Sequence, residues 1–88
     1  MGDIKDILTS REIGQAIRAE RRRQKRTQAW LAEHAKTARQ TVVDIEAGGN
    51  VSLYTLSRIL LALGLLIRLE PRQIDYTRLR EVFEDEDQ

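Results

Sequence analysis

The sequence predicts an all-α fold, a compact bundle of about four to five helices, plus one short C-terminal β-strand that pairs across a homodimer. Three observations carry this expectation. Apolar residues recur at spacings of three and four in several short runs, opened by hydroxyl caps and closed by turn residues. A chain of 88 residues has room for a single core. One late stretch, Leu65 to Glu70, instead places Leu65, Ile67 and Leu69 on one face of a strand, and no second strand pattern exists to pair with it.

The elements follow in order. Thr9 and Glu12 have the spacing of a capping box and open a first helix over about 10–25, with Ile13, Ala16 and Ile17 inward and arginines filling the remaining surface. Thr27 caps a second helix over about 28–35, whose Leu31, Ala32 and Ala35 make a short buried face. Two alanines there allow a neighbouring helix to cross closely. A third helix over about 38–47 turns Val42 and Ile45 inward and is closed by Gly48-Gly49. Ser52 caps the fourth, in which Leu53, Leu56, Ile59, Leu60 and Leu63 give the strongest periodic signal in the chain, ended by Gly64. The strand runs to Pro71. Beyond it, Tyr76, Leu79, Val82 and Phe83 follow a candidate Asp75 cap as a short amphipathic helix, whose terminal Glu84-Asp85-Glu86-Asp87 should fray it. The organisation expected is an N-terminal arm at 1–9, a helical domain at 10–64, a dimerising strand at 65–71 and an acidic amphipathic tail at 72–88.

Backbone groups on a half-buried strand need partners, so the economical reading pairs the lone strand with the same strand of a second copy, the alternative being an extended tail lying on its own chain. The longest apolar stretch, Ile59 to Ile67, is interrupted by Gly64 and is about half of what a bilayer requires. With no cysteine and a single histidine, His34, thiol chemistry and Cys/His metal cages are excluded, and no cofactor is expected. No nucleophile with a base and no phosphate-cradling glycine loop can be assembled, so an enzyme is not expected.

Charge is unevenly placed. Between Arg11 and Gln40 nine basic residues face three acids, a balance of +6, whereas from Glu70 onward seven acids face three arginines, a balance of −4. A basic front suits a polyanion and leaves the acidic rear for another task. Two short helices joined by a tight turn, the first capped by Thr27, can present the second of them to a DNA major groove.

The elements Ile13-Gly14 through Ile17-Arg18, Thr27-Gln28-Ala29-Trp30-Leu31-Ala32, and Ala38-Arg39-Gln40-Thr41-Val42-Val43-Asp44-Ile45-Glu46-Ala47-Gly48 resemble the XRE-type helix-turn-helix DNA-binding family. The resemblance runs from about Ser10 to Leu63. With Leu65 to Glu70 directly after the last helix, it narrows to the HipB-type antitoxins. It implies a cytoplasmic, nucleoid-associated bacterial repressor, dimeric through that strand, that binds double-stranded operator DNA at its own operon and neutralises a HipA-like kinase toxin.

Arg39, Gln40 and Val43 are the candidate base readers, since an arginine can grip guanine O6 and N7, a glutamine adenine N6 and N7, and a valine a thymine methyl. Gln28 resembles the family residue that bonds a phosphate. Thr27, Ala38, Thr41, Arg18, Arg22, Asn50 and Ser52 are the further backbone candidates, which position without reading sequence. Trp30, at a position expected to be exposed, and Tyr76, Leu79, Val82 and Phe83 are candidate toxin contacts. His34 reads as a surface residue and Glu46 as structural.

The chain departs from the family pattern at Lys36, where a glycine is usual, at Thr37, and at Ala38 in the recognition helix's usual cap position. If Thr37 takes over the cap, that helix starts a residue early. A free-standing regulator of the same fold without a toxin, and an adaptor that has lost DNA binding, are the alternative readings.

Overall fold

A computed structural model describes residues 9–71 and 76–86. The helices are α1 (Ser10–Arg23), α2 (Gln28–Ala35), α3 (Arg39–Glu46), α4 (Leu53–Ala62) and α5 (Tyr76–Glu86). Most of the N-terminal arm, the Asp75 cap and part of the acidic tail lie outside the described residues. No strand occurs among the described residues. The 65–71 segment has no regular structure in the single chain.

Local signals start the helices where expected. Thr9 Oγ1 accepts the Glu12 amide at 3.1 Å while the Glu12 carboxylate accepts the Thr9 amide at 3.2 Å, closing the capping box. Thr27 Oγ1 accepts the Trp30 amide at 2.9 Å, and Ser52 Oγ accepts the Thr55 amide at 3.0 Å. The recognition helix differs. Ala38 is its N-cap and offers no side-chain bond, and Thr37 does not replace it, so α3 begins at Arg39 in the unshifted register.

Each of the first four helices ends in the same reversal, with two backbone amides folding back onto the last turn. At α1 these are Lys25 to Arg22 O and Arg26 to Arg21 O; at α2, Lys36 to Glu33 O and Thr37 to Ala32 O. At α3 they are Gly48 to Ile45 O and Gly49 to Asp44 O; at α4, Gly64 to Leu61 O and Leu65 to Leu60 O. The motif requires positive φ at its pivot, found at Lys25 (60°), Lys36 (55°), Gly48 (94°) and Gly64 (75°). Two lysines therefore hold a conformation that costs a side-chain-bearing residue roughly 1–2 kcal/mol. The turn between α2 and α3 has the conformation usual for glycine, made without one. The first helix also stops at Arg23, two residues earlier than its periodicity suggests, because Lys25 turns left-handed.

The core is one cluster. Ile17, Leu31, Val42 and Ile59 are fully buried, with Ala32, Ala35, Ile45, Leu56, Leu60 and Leu63 around them. The contacts run α1 to α3, α2 to α3 and α2 to α4, so α3 is wedged on its inner side between α1 and α2. Leu65 packs against this core, whereas Leu66, Ile67 and Leu69 are exposed. The last helix runs through the acids expected to fray it as far as Glu86, and Val82 in its second half is buried. No described helix is long and apolar enough to cross a membrane.

Candidate nucleic-acid interface

The site is built around an ion pair that sequence patterning did not single out. Arg21 was expected among the outward arginines of α1. It lies inside, on the line Ile13, Ile17, Arg21, one step of four after another. Glu46 likewise follows Val42 and Ile45 on the inward face of α3. Arg21 Nε donates to Glu46 Oε2 at 2.7 Å and Nη2 to Oε1 at 3.0 Å, a two-pronged pair with side chains 10% and 4% exposed. Arg21 Nη1 donates to the Arg26 carbonyl at 2.8 Å, which ties the start of α2 to the same group. Glu46 is structural, as expected. Two opposite charges on facing inward stripes were the signal available for the pair.

From this pair the network reaches the surface. Gln28 Nε2 donates to Glu46 Oε1 at 3.1 Å, and Gln28 Oε1 accepts Arg39 Nη2 at 3.4 Å. Gln28 is thus half-buried and joined to a candidate base reader. Arg39 and Gln40 are exposed on the first turn of α3; Val43 and Thr41 are half-buried. Gln40 Nε2 donates to Asp44 Oδ1 at 2.9 Å. One amide hydrogen and the carbonyl remain available, the donor and acceptor that adenine N7 and N6 require. Ala38 is exposed immediately before Arg39.

The other backbone candidates are dispersed. Thr27 and Ser52 are exposed caps whose hydroxyl oxygens already accept amides, Asn50 is exposed, and Arg18 and Arg22 are exposed on one side of α1. Neither of those arginines has an ion-pair partner among the described residues. Arg23 does. It pairs with Glu20, which also accepts Gln24 Nε2 at 2.8 Å, and the Arg23 and Gln24 hydrogen bonds hold the Glu20 carboxyl down to about 2. Arg58 donates to the Ala35 and Lys36 carbonyls and so braces the turn.

Trp30 is not the exposed residue expected. It packs half-buried against the core, with the Arg26 guanidinium 4.1 Å from its ring centroid and His34 stacked at 4.0 Å. Arg26 and His34 stand four residues before and four residues after it, and both lie against its ring. Tyr76 and Phe83 are exposed, Leu79 is at the margin of exposure and Val82 is buried, so these four do not form one open face. Among the described residues no cluster of His, Cys, Asp or Glu could hold a metal ion.

A helix-turn-helix family model matches residues 17–68. Comparison with curated proteins finds no match. Among solved structures, the chain is similar to a HipB–O4 20mer complex (TM-score 0.72, 24% identity), covering 80% of this chain and 100% of that one. It is equally similar to a HipA–HipB–O2–O3 complex (TM-score 0.73, 24% identity, the same coverage). A HipB variant in complex with an O2 20mer gives 0.73 and 25%, covering 81% of this chain and 100% of that one. At such identity the likeness carries the fold.

Proposed function

Because the chain belongs to the helix-turn-helix family, over a match that includes α2, the turn and α3, we propose that it is a dimeric, sequence-specific DNA-binding repressor. We further propose that it is the antitoxin of an operon encoding a HipA-like kinase toxin. The observation that carries DNA reading is the chain of bonds from Arg21 through Glu46 and Gln28 to the exposed Arg39. It holds an arginine fork at the tip of α3, where a guanine edge can take both prongs. Gln40 and Val43 read neighbouring pairs, and Thr27, Gln28, Ala38, Thr41, Arg18, Arg22, Asn50 and Ser52 are proposed for the sugar–phosphate backbone.

Dimerisation is proposed through 65–71. Ile67 and Leu69 are 53% and 90% exposed in the single chain and help to line an apolar groove of about 590 Å³, whose other lining residues include Ile13, Leu56 and Leu60. Pairing of this segment with its copy satisfies its backbone and covers that groove. Two recognition helices then reach half-sites one or more helical turns apart. Ile67→Pro removes a ladder donor and is expected to convert dimers to monomers in sedimentation. An unchanged dimer would assign the interface elsewhere.

The toxin is proposed to engage the edge of Trp30 and the exposed apolar side chains Tyr76, Leu79 and Phe83 of α5; Val82, buried in the single chain, drops out of that set. Co-purification with the product of the adjacent gene separates this reading from a free-standing regulator. DNA reading is tested by titrating the promoter region of its own operon. Arg39→Ala is expected to lose roughly 1–3 kcal/mol on the operator and to relax base preference, while Gln28→Ala weakens every duplex. Equal loss on operator and random DNA for Arg39→Ala would remove it from base reading.

A further inference from the structure

We propose that Arg26 is a phosphodiester-binding residue whose guanidinium is held ready by Trp30; the proposal rests on the DNA-binding reading above. The other arginines fixed in this region have their donors engaged. Arg21 serves Glu46, Arg23 serves Glu20, and Arg58 serves two carbonyls. Arg26 is held in a different way. Its Cζ lies over the Trp30 ring, 4.1 Å from the centroid, so its charge rests on the indole, and its guanidinium donates to no acceptor among the described residues. A contact of cation with ring uses no hydrogen-bond acceptor, so the donors of this guanidinium remain available to a ligand.

The platform is itself fixed. Trp30 packs against the core, its amide donates to Thr27 Oγ1 at 2.9 Å, and its carbonyl accepts His34 Nδ1–H at 2.8 Å. The His34 ring stacks on the indole with planes 19° apart. The Arg26 backbone is anchored from the other side, where its carbonyl accepts Arg21 Nη1. Head and backbone are therefore both restrained on an exposed residue, two positions before Gln28 and on the basic front of the chain.

An arginine confined in this manner loses little rotamer freedom on binding, and its planar fork matches two oxygens of one phosphate. A carboxylate would fit the same fork, but the nearest acid in sequence on α2, Glu33, makes no ion pair with it. The ligand class is thus the phosphodiester of a duplex, contacted irrespective of sequence.

The test is a salt series of duplex titrations with the full chain. Arg26→Gln is expected to lower the slope of log K against log salt by about 0.9 per bound protomer, with several-fold weaker binding to operator and random DNA alike. Trp30→Leu keeps the charge and removes the platform, so the slope stays and affinity falls about threefold on every duplex. Arg26→Lys, which leaves Trp30 in place, should behave like Trp30→Leu and serves if that variant fails to fold. An unchanged slope for Arg26→Gln, with the wild type binding normally, would leave Arg26 as mere cover for Trp30. Wild-type affinity in both Trp30→Leu and Arg26→Lys would remove the stacking from the account. Failure of the wild type to bind any duplex would overturn the DNA-binding reading, and this proposal with it.

Discussion

Glu46→Ala is expected to cost roughly 3–5 kcal/mol of folding stability, read as a lowered midpoint in denaturant. The reason is asymmetry. With Glu46 present, Arg21 is buried as a fully partnered cation; without it, the guanidinium retains only the Arg26 carbonyl in a site nearly closed to water. Gln28 Nε2 loses its acceptor in the same step. Against a total of about 5–15 kcal/mol for a domain, such a loss leaves little folded protein. Replacing both partners, as Arg21→Met with Glu46→Leu, removes the uncompensated charge and is expected to restore most of the stability. The double variant still lacks the acceptor for Gln28, so it should fold and yet discriminate operator from random DNA poorly. Full discrimination there would show that the network serves folding alone.

That experiment touches what the sequence did and did not disclose. Caps, turns and periodic apolar residues are local, and Thr9, Thr27, Ser52, Gly48 and Gly64 act as their chemistry predicts. Arg39 and Gln40 emerge at the exposed start of α3 for the same local reason. Arg21 was misjudged because a charged side chain on a helix defaults to solvent, and only α3, 25 residues away, supplies the carboxylate that makes its burial tolerable. The left-handed lysines were hidden likewise: neither residue advertises positive φ, and both are carried by the hydrogen bonds of their turns. Trp30 was read as exposed from its position on α2, but it packs against the core, and Arg26 and His34, four residues away in each direction, lie against its ring.

Gly14→Ala is expected to destabilise the fold by roughly 3 kcal/mol, at the upper end of overpacking effects. In an open helix the same change would be favourable by up to about 1 kcal/mol, since alanine is the better helix former. Here a Cβ would stand 2.1 Å from the Ile45 carbonyl oxygen, where no rotamer can yield because the obstacle is backbone. That carbonyl accepts the Gly48 amide at 2.9 Å in closing α3, and Gly48 O accepts Ser10 Oγ at 3.1 Å. Relief requires α1 to back away from α3, and Arg21, two turns further along the same side of α1, must move with it. The clash and the ion pair therefore share one seam, and the two substitutions cannot act independently. Combined with Glu46→Gln, which keeps the shape and weakens the pair, Gly14→Ala should cost at least about 1 kcal/mol less than the sum of the separate effects. Strict additivity in denaturant titrations would mean that the helices part without disturbing Arg21, and that the route from this seam to Arg39 is not mechanically continuous.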